Sequence, residues 1–190
     1  MSVNECRMIE KKLAFHTAPS LLGIKCANLV SVSRDKYDIL SYADIFNSKA
    51  CSKGLKMKIL CTCKNKNLVM IYNERLMKIQ LENKKTREFL LRYGYSTDLN
   101  IEKCLERLAD RITRNNDFPH EIGIFLGYPI EDVKGFILNK GSNYKICGYW
   151  KVYSNEENAK RTFENYNKCR KFLYNKLNEG MDFYHALKIF

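Results

Sequence analysis

Proline and glycine are scarce in this 190-residue chain, at three and nine copies, which excludes a collagen-like repeat, a Pro-rich linker and a low-complexity array. No apolar run approaches the ~20 residues that span a bilayer. The longest runs from about Leu68 to Tyr72. The opening Met1-Ser2-Val3-Asn4-Glu5-Cys6-Arg7 lacks the apolar stretch of a secretory signal, so the expectation is a soluble cytoplasmic protein with no membrane partner. GxGxxG after a strand, a Walker loop, a GxSxG elbow and HExxH are all missing, and no cofactor is expected. The eight cysteines are spread through a chain rich in ordinary core residues and read as reduced thiols rather than a disulfide framework.

What is present points to an ordinary globular fold. Hydrophobic residues make up 45% and aromatics 12%, enough apolar surface to offset the entropy of ordering and to exclude disorder. The formal charge of +12 favours anionic partners. It is also segmental. Three acid-free windows, between Glu10 and Asp35, between Asp44 and Glu74, and between Asp132 and Glu156, carry +4, +6 and +4, more than the whole excess.

Each window contains a predicted strand. Ala27 to Val32 is rich in β-formers; Leu55, Met57, Ile59, Cys61 and Cys63 alternate with Lys56, Lys58 and Thr62, interrupted by Leu60; Leu68 to Tyr72 completes a hairpin; and Gly148 to Tyr153 reads as a further strand. Helices are expected from Val3 to Phe15, stopping near Pro19, from Asp35 to about Lys49, and from Glu74 to Tyr93 with Gly94 as its cap. Another covers Ile101 to Ile112, capped by Asp98 or Asn100. Ser154 and Glu157 form a capping box for a helix to about Asn178, and a short helix from Met181 to Leu187 closes the chain. The order predicts one α/β or α+β domain over 1–190, with a sheet of about four strands and a mostly helical C-terminal half.

If the strands share one sheet, Lys25, Lys56, Lys58 and Lys151, with Tyr149 and Tyr153 interleaved, form a basic surface for an acidic protein or a phosphate-bearing ligand. The same lysines equally serve to blunt exposed strand edges. Between residues 118 and 140, two short helices flank the turn Gly127-Tyr128-Pro129 with the apolar spacing of a DNA-binding helix-turn-helix. Glu131 and Asp132 at the start of its second helix would repel phosphates and suit the helix dipole better, so nucleic acid is disfavoured.

His16, His120 and Glu121 form a candidate acid–base set if loops bring them together; the alternative is that both histidines close helix ends locally. Cys61-Thr62-Cys63 lacks the spacing and the second pair of a zinc site, and no metal is expected.

The runs Phe118-Pro119-His120-Glu121-Ile122-Gly123-Ile124-Phe125-Leu126-Gly127-Tyr128-Pro129, Glu131 to Ile137 and Gly148-Tyr149-Trp150-Lys151-Val152-Tyr153 give the chain its most distinctive motifs. Together with His16-Thr17-Ala18-Pro19 and Gly23-Ile24-Lys25, they resemble an uncharacterised bacterial family common in anaerobes, domain of unknown function 3793. The family pattern has a proline after the upstream lysine where this chain has Cys26. The resemblance implies a full-length bacterial cytoplasmic domain, marks His16, Lys25, His120, Glu121, Tyr128, Trp150 and Lys151 as motif positions, and points faintly to redox or metal physiology. The leading expectation is an accessory binding protein whose basic sheet docks an acidic, flavodoxin-like protein or a phosphorylated small molecule. Nucleic-acid binding through the hairpin and an enzyme built on the two histidines are the alternatives.

Overall fold

The computed structural model describes residues 1–63, 65–96, 98, 100–114 and 118–189, with the side chain of Cys63 also outside the description. Its centre is an antiparallel sheet of β1 (Ala27–Ser33), β3 (Lys66–Asn73) and β2 (Leu55–Cys63), with β3 in the middle. The uninterrupted apolar run Leu68 to Tyr72 is a central strand for a physical reason: both faces of it are covered, so alternation has no use there. Val69, Ile71, Val30, Val32 and Met57 face a core built with α1 (Val3–Leu21) and α2 (Ile39–Ala50). Met70, Tyr72, Ala27 and Leu60 face a second core. That core is closed by α3 (Glu74–Glu82), α4 (Lys84–Leu91), α5 (Ile101–Arg114), α6 (Ile122–Phe125) and α7 (Ile130–Leu138).

The interruption at Leu60 now has an explanation. It lies on the same face as Lys56 and Lys58, a face roofed by α5 rather than open to water, and the pairing register shifts between Ile59 and Cys61. Elsewhere the structure departs from expectation where polar side chains seize backbone groups. Glu74 to Tyr93 is two helices, because the Asn83 side chain accepts from the amides of Lys85 and Thr86 and starts a new helix. The first helix runs through Pro19 to Leu21, since a proline in the last turn forfeits a single backbone bond and this end of the helix is buried. The long C-terminal helix, α8 (Glu156–Asn178), is capped by Asn155 and not by Ser154. A final turn, α9, covers Phe183–Ala186.

The expected four-stranded sheet is a three-stranded sheet plus a separate two-stranded ribbon of β4 (Ile146–Cys147) and β5 (Lys151–Val152). The mixed α/β character and the helical C-terminal half hold. The ribbon stands apart because its polar groups are committed to α7. The Asp132 carboxylate accepts from Trp150 Nε1 at 2.7 Å and from the backbone amides of Tyr153 and Ser154, each at 2.8 Å.

Candidate functional site

Close approaches hold three remote segments together. Gly127, with φ of +75°, turns the hairpin so that a Cβ there would lie 2.8 Å from the Cys26 Cβ. Gly135 of α7 gives room to Tyr153, whose ring begins 2.5 Å from where an alanine methyl would be. Between the two contacts, Tyr128 stacks on Trp150 with centroids 5.0 Å apart and an interplanar angle of 27°, and its hydroxyl donates to the Tyr149 carbonyl at 3.1 Å.

A cavity of 370 Å³ opens between the hairpin and the ribbon. Its walls are mainly aromatic: Phe118, Tyr128, Phe136 and Trp150, with His120 and Lys151 as cationic or donor groups. His120 is exposed and set edge-on to Phe136 at 5.0 Å. Lys151 donates one hydrogen bond to the Gly141 carbonyl at 2.7 Å and lies 5.8 Å from the Phe136 centroid and 5.0 Å from that of Tyr144. An ammonium has three donors, so two remain for an occupant. Asp132 is the carboxylate among the lining residues, and both its oxygens are taken by the ribbon. Behind Tyr128, the Lys25 ammonium lies 5.1 Å from that ring's centroid and 5.8 Å from Tyr166's. Burial pushes its amine down to about 8. Lys25 and Lys151 against Asp132 leave the surroundings net positive.

The basic sheet surface expected from sequence does not form. Lys25 is 3% exposed and belongs to the interior. Lys58 is paired with Glu102 of α5 at 2.8 Å, and Lys56 feels the same carboxylate. Lys151, Tyr149 and Tyr153 lie on or beside the ribbon, away from the sheet. Tyr149 donates to Asn167 at 2.9 Å, whereas the Tyr153 hydroxyl is buried without a partner.

The candidate acid–base set does not converge on the cavity. His16 is exposed on α1 against Phe15, and burial together with Lys12 and Arg170 holds its imidazole below the usual value. Glu121 is 1% exposed, ion-paired with Arg111 and hydrogen-bonded by Tyr95 at 3.2 Å. Of the three, His120 lines the cavity and the other two do not.

Two helices, α6 and α7, flank the Gly127-Tyr128-Pro129 turn of the hairpin. Its second helix, however, presents Glu131, Lys134 and Leu138 to solvent, and Glu131 faces Lys85 at 3.7 Å. That face cannot neutralise a phosphate backbone. Cys63 falls outside the described side chains, and no group of three or more metal-capable residues occurs among the described ones.

Sequence reasoning missed Asp132, Phe118 and Phe136 as parts of the site. Asp132 looked like a helix-dipole partner, which fits Glu131; an acid one residue further, on the apolar side of the helix, was the available signal.

The family model for "Protein of unknown function (DUF3793)" matches residues 13–187. The chain belongs to this family. No curated protein and no solved structure gave a match. In this DUF3793 chain the 118–140 hairpin and the Gly148 to Tyr153 run line one cavity, and Lys25 lies against the Tyr128 ring that forms part of its wall.

Proposed function

We propose that the protein binds a planar anionic small molecule, of the class of phosphate-bearing aromatic compounds, in the cavity beneath the hairpin. One observation supports this most directly: the walls are aromatic, Lys151 has donors to spare, and the lining carboxylate is already satisfied. Aromatic walls favour a flat apolar body, and a few placed polar groups fix its orientation. An acidic protein would need the exposed lysine field that burial of Lys25 and pairing of Lys58 remove.

Trp150 is the sole tryptophan of the chain and forms part of the wall, so its emission reports occupancy. Titration with AMP and flavin mononucleotide, each beside adenosine and riboflavin, is expected to show tighter binding of the phosphorylated member. That preference should weaken with added salt and fall several-fold in Lys151→Ala. Calorimetry showing no heat with any of the four, or equal affinity within each pair, overturns the proposal.

A further inference from the structure

We propose that Lys25 is the charge-selecting residue of this cavity: its ammonium, held behind the Tyr128 ring, makes the site prefer an anionic occupant over a neutral one of the same shape. The inference rests on the cavity being a binding site. Its starting point is an anomaly. Lys25 is buried at the end of the first helical segment, its amide donates to the Pro19 carbonyl at 3.0 Å, and its ammonium meets two tyrosine rings with no carboxylate paired to it among the described residues. A buried charge without a counterion is costly, and a methionine or leucine would fill the same space without that cost. Two rings alone are weak compensation. The placement makes sense when the charge acts on something beyond them.

Tyr128 is that connection. Lys25 and Trp150 both meet that ring, and the two distances of 5.1 Å and 5.0 Å laid end to end put the ammonium no more than about 10 Å from the cavity wall. Across a packed aromatic layer with an effective dielectric near 20, a unit charge at that range changes the affinity for a monoanion by about tenfold. Lys25 touches no occupant; it acts through the field.

The other titratable groups facing it do not compete near neutrality. On its own segment, the Cys26 thiol is pushed up to about 12 by burial. From the hairpin, burial pushes the Tyr128 phenol up to about 12, and from α8 it raises that of Tyr166. All three stay neutral while the Lys25 amine passes from charged at pH 7 to largely neutral at pH 9.5.

The test uses two dyes of matched shape: 8-anilinonaphthalene-1-sulfonate, whose charge is fixed over this range, and uncharged N-phenyl-1-naphthylamine. Energy transfer from Trp150 reads both. In Lys25→Met at pH 7 the sulfonate is expected to bind about tenfold more weakly and the neutral dye unchanged. With Cys147→Ser as the background, so that the thiol in the cavity lining adds no charge, the sulfonate alone should weaken between pH 7 and 9.5, a loss absent when Lys25→Met is added. The pH arm does not need the Lys25 variant, so a misfolded Lys25→Met leaves it decisive. Equal loss of both dyes, or an unchanged sulfonate, overturns the role of Lys25 while leaving the cavity a binding site. Failure of both dyes to reach the wild-type cavity overturns both, and failure of the sulfonate alone overturns the role of Lys25.

Discussion

Asp132 shows how much one residue organises here. Its carboxylate is 2% exposed and satisfies an indole and two backbone amides that would otherwise be buried without acceptors. Asp132→Ala strands three donors at once, and urea unfolding is expected to show a loss of about 3 to 5 kcal/mol. Asp132→Asn keeps one acceptor oxygen and should lose less. The residue also marks a limit of reading the chain alone. An acid in the first turn of a helix has a sufficient local explanation in the dipole, and only the packed ribbon reveals its partners. Lys25 misled in the opposite direction, because a lysine beside a predicted strand is ordinarily solvated and its sequence neighbours say nothing of Tyr166.

At the level of elements, the junction between α7 and the ribbon depends on an absent side chain. A Cβ on Gly135 would fall 2.5 Å from the Tyr153 ring and 2.6 Å from its Cβ, atoms near the root of the side chain that cannot swing clear. Gly135→Ala gains helix propensity of about 1 kcal/mol yet is expected to be destabilising by about 1 to 3 kcal/mol in thermal or urea unfolding, because the ribbon must shift. Most elements were legible from period and caps. The amphipathic α5 and the β2–β3 hairpin lie where their apolar spacing put them. What period could not show was partnership. Gly148 to Tyr153 reads as a strand, but only Lys151–Val152 is one, paired with Ile146–Cys147 beside the amides that Asp132 accepts from. The break at Asn83 was readable in principle, since asparagine in a helix interior competes for backbone amides.

For the molecule as a whole, the buried amine adds one signed contribution to stability against pH. The amine of Lys25 titrates at about 8 in the fold and near 10.5 in the unfolded chain, so between these values the unfolded state holds more protons. The Lys25 contribution to stability therefore rises with pH across that window, by roughly 2 kcal/mol between pH 7 and pH 10. Inside the same window it is opposed by the thiols of Cys26 and Cys104, pushed up by burial to about 12 and about 11, and by the buried phenols of Tyr42, Tyr72 and Tyr95, because the unfolded chain sheds those protons first. Denaturant midpoints measured every half unit from pH 7 to 10 in the wild type and in Lys25→Met check this: the difference between the two should shift in favour of the wild type as pH rises, and a difference that stays constant contradicts it.

The central strand has a consequence of its own. Val69 and Ile71 belong to one apolar mass and Met70 and Tyr72 to the other, so consecutive residues of a single strand are keystones of opposite vaults. Neither vault can be dismantled without stripping the common wall, to which β1 and β2 contribute on both sides as well.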